Sequence, residues 1–127
     1  MPRRAVHTDA APQAIGTYSQ ALVVDGTVYL SGQIPLDPES MQIVAGGFRR
    51  EVEQVLANLR AVASASGGRL EDIVKLTVYL TDLNDFETVN EVMAREFRKP
   101  YPARAAVQVA ALPRGARVEI DAILVVD

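Results

Sequence analysis

Residues 21–31 read Ala-Leu-Val-Val-Asp-Gly-Thr-Val-Tyr-Leu-Ser, and this segment decides the fold. Two short runs rich in β-branched and other apolar residues flank an Asp-Gly pair. That pair suits a two-residue type I′ turn, because both central positions of the turn need a positive φ. The segment therefore predicts a β-hairpin with strands Ala21 to Val24 and Thr27 to Ser31. The prolines of Ile34-Pro35-Leu36-Asp37-Pro38 then interrupt regular structure, because proline lacks a backbone donor.

Hydrophobic periodicity predicts the remaining elements. Apolar residues recur at helical spacing from Gly47 to Ala65, and Gly67-Gly68 ends that helix. Residues alternate from Ile73 to Leu80, and the apolar face of this strand consists of Val74, Leu76, Val78 and Leu80. The other predicted elements are a short first strand near Ala5 to His7, a helix of roughly Asp85 to Phe97, and strands Ala103 to Ala110 and Arg117 to Val126.

After the short first strand, the element order β-β-α-β-α-β-β predicts an α/β (α+β) fold in a single domain spanning residues 1–127. We expect a mixed β-sheet with two helices on one of its faces. The other face carries Ile73, Thr77 and Tyr79. It is too apolar to face water and too polar for the core of a monomer. We therefore expect it to be buried against other copies of the chain in a closed ring oligomer.

Composition excludes several classes of chemistry. The chain has no cysteine and one histidine, His7, so it offers no thiolate and no pattern for a zinc site or a serine–histidine nucleophile. We expect no metal and no cofactor. The net charge of −3 and the absence of a basic stripe predict no nucleic-acid partner. The longest apolar run, Ala122 to Val126, is far below the roughly 20 residues of a membrane helix, and we read no secretory signal. We expect a cytoplasmic protein without a membrane partner.

Charged residues inside the last two predicted strands are the candidates for chemistry. Arg104 and Glu119 lie among apolar residues, where a charge is costly unless it is paired or used. An interface salt bridge is the alternative to a functional role. A turn at Pro113-Arg114-Gly115 would pair the two strands with Gln108 opposite Glu119 and leave Arg104 roughly 13 Å further along. The two groups would then meet only across a subunit boundary, which predicts a cleft between neighbouring subunits.

Four short motifs follow one another between about Pro12 and Val126. They are Ala14-Ile15-Gly16-Thr17-Tyr18-Ser19-Gln20, then Ser31-Gly32-Gln33-Ile34-Pro35, then Thr81-Asp82-Leu83-Asn84-Asp85-Phe86 with Asn90, and finally Tyr101-Pro102-Ala103-Arg104 followed by Val118-Glu119-Ile120-Asp121-Ala122. In this order they resemble the motifs of the RidA/YjgF/UK114 family of enamine/imine deaminases. The resemblance covers nearly the whole chain.

The resemblance implies a chorismate-mutase-like (YjgF-like) fold and a homotrimer with active sites at its subunit interfaces. It also implies hydrolysis of 2-aminoacrylate-type enamines and imines to 2-keto acids and ammonia, the reaction of a 2-iminobutanoate/2-iminopropanoate deaminase. The implied catalytic residues are Arg104, which binds the substrate carboxylate, Glu119, which positions the attacking water, and Tyr18, which lines the pocket. The implied substrate-binding residues are Arg104, Ser31, Gly32, Asn90 and Ala106.

Two positions depart from the family pattern. Ala106 stands where many members carry cysteine, and Thr17 replaces the common proline before Tyr18. Two other functions remain as alternatives. One is a non-enzymatic trimer that binds small 2-keto acids, for which Arg104 is needed but Glu119 is not. The other is the RNA cleavage or chaperone-like activity reported for relatives, and the acidic composition counts against RNA.

Overall fold

The computed structural model describes residues 2–126 and confirms a mixed sheet with two helices. The helices are α1 (Phe48–Ala65) and α2 (Phe86–Glu96). The strands are β1 (Arg4–Val6), β2 (Ala21–Val24), β3 (Thr27–Gln33), β4 (Ile73–Leu80), β5 (Ala103–Gln108) and β6 (Val118–Val125). Each predicted element is present, and most boundaries agree within two residues.

The hairpin of β2 and β3 is present, but its turn is not the predicted type I′. Val24 pairs with Thr27, so the turn has two residues. Asp25 has a positive φ of 55°, whereas Gly26 does not lie in the positive region. Gly26 is needed for another reason. The carbonyl of Gly26 accepts a hydrogen bond from Val126 N at 2.7 Å, and the carbonyl oxygen of Val126 lies where a side chain on Gly26 would begin.

The predicted hairpin of the last two strands is wrong. The strand order is β1-β2-β3-β6-β4-β5, so β4 separates β5 from β6. Gln108 pairs with Leu80, and Glu119 pairs with Tyr79 rather than with Gln108. The apolar alternation of β6 suits it to the centre of the sheet, while β4, α2 and β5 form a crossover unit, which makes β5 parallel to β4. The largely exposed β5 is therefore an edge strand.

The predicted faces of β4 are wrong at its start, because the strand contains a β-bulge there. Ile73 pairs with Leu124 and Lys75 pairs with Ile123, so Val74 is an extra residue between them. An extra residue reverses the alternation on one side of it. Ile73 is therefore buried towards the helices, whereas Val74 is 47% exposed.

The hydrophobic core lies between the sheet and the two helices. Val52, Val55, Leu59 and Val62 of α1 are completely buried. The sheet contributes every second residue of its central strands, namely Val28, Leu30, Leu76, Val78, Leu80, Val118, Ile120, Ala122 and Leu124. The intervening residues form what we call the open face, which carries Tyr29, Thr77, Tyr79, Glu119, Asp121 and Ile123.

The open face carries both apolar and polar side chains, which is the property from which the sequence predicts a ring oligomer. Tyr29 and Val125 are about half exposed on it. The oligomer itself stays a prediction. No helix within residues 2–126 combines the length and apolar character that crossing a bilayer requires.

Asn58 of α1 fixes the proline-containing segment that follows β3. Its side chain is 1% exposed. The Nδ2 group donates to the carbonyls of Leu36 at 3.0 Å and Ile34 at 3.3 Å, and Oδ1 accepts a hydrogen bond from Gln54. Because a buried polar group without a partner is costly, this amide specifies where the segment docks on the helix.

We predict that Asn58→Ala lowers the free energy of unfolding by about 1–3 kcal/mol, because it leaves carbonyls without donors. The better helix propensity of alanine offsets only about half a kcal/mol of this loss. Urea unfolding at matched protein concentration measures the effect. Ala57→Ser, on the exposed side of α1, is the control and should change stability by less than about 0.5 kcal/mol. Equal stability of Asn58→Ala and the parent protein would contradict the assignment.

Candidate functional site

The predicted site residues fall into two groups on opposite faces of the sheet. Tyr18, Gly32 and Glu119 lie together on the open face, and we call them the open-face cluster. Arg104 and Asn90 lie together beside α2 at the sheet edge, and we call them the edge cluster. Each cluster lines a cavity of its own, so one chain contains two separate halves of the predicted site.

Glu119 is positioned by an irregularity in the neighbouring strand. The register between β3 and β6 shifts between Leu30 and Gln33. This shift brings the backbone of Gly32 beneath the Glu119 carboxyl group. A side-chain carbon on Gly32 would lie 2.9 Å from the Glu119 carboxyl carbon, closer than such atoms can approach. Glycine is required here for close approach rather than for an unusual φ.

The cavity of the open-face cluster has a volume of about 400 Å³, which is within the usual range for small-molecule sites. Its polar groups include Tyr18, Glu119 and Arg114, and its apolar wall includes Ile15 and Leu36. Arg114 also donates to the carbonyl of Met41 at 2.9 Å, which fixes the loop on that side of the cavity. A carboxyl, a phenol and a guanidinium thus share one small cavity.

The electrostatic environment of Glu119 favours its neutral form. Burial raises the pKa of the Glu119 carboxyl, and the negative charge of Asp121 raises this pKa further. Glu119 and Asp121 are two residues apart on β6 and so point to the same face. A carboxyl whose pKa is raised towards neutrality is suited to general acid–base chemistry.

Ser31 is committed to contacts within the chain. Its hydroxyl donates to the carbonyl of Ser19 at 2.5 Å, and its amide donates to the carbonyl of Gln20 at 3.0 Å. Ser31 lines another cavity together with Tyr18 and Tyr29. Its two donors therefore hold the segment that carries Tyr18, and its predicted contact with substrate stays a prediction.

Gln20 is a structural determinant of the site that the sequence prediction did not identify. The side chain is 1% exposed. Its Oε1 accepts a hydrogen bond from Thr8 N at 2.7 Å, and its Nε2 donates to the carbonyls of Thr8 and Pro12 at 3.0 and 2.8 Å. These bonds fix the segment that delivers Pro12 and Gln13 to the cavity wall. Gln20 ends the first of the four motifs, but nothing in the sequence indicated which backbone groups it would bond.

In the edge cluster, three contacts hold the Arg104 guanidinium. One nitrogen, Nη1, donates to Asn90 Oδ1 at 2.6 Å and also lies 3.6 Å from the sulfur of Met93. The Phe86 ring packs against the guanidinium, with its centroid 4.8 Å from Cζ, in a cation–π arrangement. Of these three helix residues, the sequence prediction gave a binding role only to Asn90, although Phe86, Asn90 and Met93 follow at helical spacing on one face of α2.

The cavity beside Arg104 has a volume of about 430 Å³ and is mostly apolar. It is lined by Asn90, Met93, Ala94, Tyr101, Pro102 and Arg104. Ala106 follows Arg104 on the same side of β5, opposite Val78, and is half-buried. A guanidinium at the end of an apolar cavity is suited to bind the carboxylate of a small organic acid.

Arg104 and Glu119 cannot meet within one chain. Arg104 is paired with Leu76, which faces the helices, and Glu119 is paired with Tyr79, which faces the other way. The two residues are two strands apart and three residues apart along β4, or about 14 Å between Cα atoms. The sequence also separated them within one chain, but from an incorrect hairpin register. Among residues 2–126, no three His, Cys, Asp or Glu side chains are grouped to hold a metal ion.

Comparison with known proteins places the chain in a family. The family model described as endoribonuclease L-PSP matches residues 8–126. The chain belongs to this family, which is the RidA/YjgF family. The predicted family is therefore confirmed.

Individual relatives match over almost their whole length. Protein DfrA of Myxococcus xanthus is 55% identical, with 98% of this chain and 97% of the relative covered. The human 2-iminobutanoate/2-iminopropanoate deaminase is 51% identical, with 97% and 90% covered. The crystal structure of RidA from an Antarctic Psychrobacter species superposes with a TM-score of 0.93 at 54% identity, with 97% and 99% covered. The predicted fold class is confirmed by this similarity.

We predict that Gly32→Ala displaces the Glu119 carboxyl group without unfolding the sheet, because a glutamate end group moves more readily than a strand. The variant should be destabilised by about 1–3 kcal/mol. In a Glu119→Ala background, the same Gly32→Ala change should cost much less, because the clashing atoms are gone. A double-mutant cycle on the free energy of unfolding measures this coupling. Simple additivity of the two changes would show that the close contact does not exist.

Proposed function

We propose that this protein hydrolyses reactive 2-imino acids and their enamine forms, of the 2-aminoacrylate type, to 2-keto acids and ammonia. The reaction site combines the edge cluster of one subunit with the open-face cluster of its neighbour in a homotrimer. The observation that carries this proposal is the division of the site residues between two cavities on opposite faces of the sheet. The edge-cluster cavity has no carboxyl group in its lining, and the Arg114 guanidinium beside Glu119 already donates to the carbonyl of Met41. The relatives named 2-iminobutanoate/2-iminopropanoate deaminase support the same reaction.

Arg104 is proposed to bind the substrate carboxylate. Its Nη1 already donates to Asn90, and the ring of Phe86 packs against the guanidinium. The other guanidinium N–H groups can then form two parallel hydrogen bonds to a carboxylate, which a lysine cannot. Ala106, next to Arg104 on the same side of the strand, leaves room for the substrate side chain. Asn90 thus contributes by orienting Arg104.

Glu119 is proposed to direct the water. Its carboxylate takes a proton from water as the water oxygen bonds to the imine carbon, and the C=N electron pair moves to nitrogen. The neutral carboxyl then returns a proton to that nitrogen. Glu119, again a carboxylate, takes the proton of the carbinol oxygen as the C=O bond forms and passes it to the nitrogen, so that the C–N bond breaks and ammonia leaves. The balance is one imine and one water giving one keto acid and one ammonia.

The remaining open-face residues shape the pocket for this chemistry. The Tyr18 hydroxyl can donate a hydrogen bond to the carbinol oxygen that becomes the keto oxygen. Gly32 lets the substrate and Glu119 approach its backbone closely. The chemistry written here requires only water as a second reactant. We therefore propose that the protein acts without a metal or a cofactor.

RNA cleavage, which the family description names, is less well supported by the surface charges. Arg49, Arg60 and Arg95 of the helical layer form ion pairs with Glu91, Glu96 and Glu53 respectively. Arginines paired in this way are less available to bind phosphates.

The other alternative is a protein that binds keto acids without hydrolysing imines. A change at Glu119 distinguishes this binder from an enzyme, because only catalysis requires Glu119.

We predict that Glu119→Gln lowers kcat at least about a hundredfold while leaving keto-acid binding within about threefold, because only proton transfer is lost. The substrate is generated by a pyridoxal-phosphate dehydratase in the presence of semicarbazide, and loss of semicarbazone reports hydrolysis. Glu71→Gln, at an exposed position, is the matched control. If Glu119→Gln keeps full activity, Glu119 does not direct the water.

Arg104→Lys tests the carboxylate contact. Because lysine retains the charge but not the planar pair of donors, we expect kcat/KM to fall about tenfold to a hundredfold. The same assay and a keto-acid titration measure this loss. Arg98→Lys, on the exposed segment after α2, is the control and should behave like the parent protein.

Mixed oligomers test whether the site is shared between chains. Arg104→Ala and Glu119→Gln proteins should each be inactive. After their subunits are exchanged at equal concentration, about a quarter of the interfaces should combine an intact Arg104 with an intact Glu119 and regain activity. Recovery near this fraction is expected. If no activity returns although mixed oligomers form, the shared site is wrong.

A further inference from the structure

Tyr79 is the direct cross-strand neighbour of Glu119, yet its hydroxyl turns away from that residue. The register pairs Tyr79 of β4 with Glu119 of β6. The Tyr79 hydroxyl donates instead to Oδ2 of Asp121, the next residue along β6 on the same face, at 3.0 Å. Because the Tyr79 hydroxyl is bonded to Asp121, it donates no hydrogen bond to Glu119.

The second feature is the environment of the Glu119 carboxyl group. Among residues 2–126, no side chain or amide donates a hydrogen bond to its carboxyl group, which instead rests against the backbone of Gly32. Asp121 stands about 6–7 Å away along the strand, since alternate residues of a β-strand are separated by two rises. Glu119 therefore has a fixed negative neighbour and two oxygens free for water or substrate.

We propose that Asp121, held in place by the hydroxyl of Tyr79, is a positioning residue that keeps a negative charge beside Glu119, so that the Glu119 carboxyl can both accept a proton from water and return one to the departing ammonia. This inference rests on the proposed function and deepens it. It assigns Asp121 and Tyr79 a part in the proton transfer without contact with the substrate.

The groups facing Glu119 come from several elements. Asp121 lies on its own strand, Tyr79 on β4, and Tyr18 and Arg114 on the cavity wall, and the proposed site adds Arg104 of the neighbouring subunit. In the proposed site, the Arg104 guanidinium of the neighbouring subunit favours the charged form of Glu119, while burial and Asp121 favour the neutral form. Asp121 thus opposes the effect of the cation that the proposed substrate site requires. The pKa of Glu119 in this chain is raised by burial and by Asp121, in agreement with that opposition.

The hydrogen bond between Tyr79 and Asp121 also affects the Tyr79 hydroxyl. The hydrogen bond to Asp121 is the largest cause of a raised pKa of the Tyr79 hydroxyl, which therefore stays protonated as a donor. A permanent donor fixes the position of the Asp121 carboxylate. The charge beside Glu119 is thus held at one distance rather than on a freely rotating side chain.

Asp121→Asn tests the inference, because asparagine keeps the shape and can still accept from Tyr79 while the charge is lost. We expect the acidic limb of the kcat/KM profile, where Glu119 gains its proton, to move to lower pH. Above neutral pH we expect kcat to fall about threefold to tenfold, with KM changed less than twofold. Tyr79→Phe should move the limb in the same direction by less, because the charge remains but is no longer fixed.

Asp25→Asn, at the β2–β3 turn far along the sheet from Glu119, removes the same charge and is the matched control. It should leave the limb in place. A direct readout is the carbon NMR titration of the Glu119 carboxyl in the three variants and the parent protein. An unmoved titration in Asp121→Asn would overturn the inference, even if kcat falls. The NMR titration does not depend on turnover. If the parent protein hydrolyses no imine, the proposed function fails and the titration still decides the role of Asp121.

Discussion

The alternation of β6 is the constraint on which the rest of the structure depends. Val118, Ile120, Ala122 and Leu124 are buried against the helices, so this strand can occupy only one register between β3 and β4. A slip by one residue would place Glu119 and Asp121 in the apolar core, where unpaired charges are strongly unfavourable. The hydrophobic core thereby fixes the position of the proposed acid–base group, although that group lies on the opposite face.

Local patterns predicted the elements well, and long-range pairing was predicted poorly. The spacing of apolar residues located both helices and β4, because periodicity reports burial, and the Asp-Gly pair located the hairpin of β2 and β3. The partner of each strand is not encoded in its own periodicity. The predicted antiparallel pairing of Ala103 to Ala110 with Arg117 to Val126 was wrong. In the structure β4 lies between these two strands, and the crossover from β4 places β5 at the far side of β4. The bulge at Val74 was equally invisible, since one extra residue leaves the composition of a strand unchanged.

The candidate site was predicted in its residues more than in its contacts. The motifs singled out Arg104, Glu119, Tyr18, Gly32 and Asn90, which the structure groups into two clusters. Gln20 and Phe86 also lie within the motifs, but their supporting roles were missed, because these roles depend on what folding brings beside them. Gln20 acts through backbone carbonyls twelve and eight residues away, and Phe86 acts through a ring face presented to another element. Such contacts cannot be derived from the spacing of residue types.

The restraint of Arg104 has a consequence for the kind of ligand it can capture. A free arginine loses considerable rotamer entropy when it grips a carboxylate, and that loss weakens binding. Here Asn90 and Phe86 already restrict the guanidinium before anything arrives. A molecule with few atoms offers little contact energy to offset such a loss, so prior immobilisation matters most for the smallest acids. The edge cluster is thus suited to bind small carboxylic acids of a few carbon atoms.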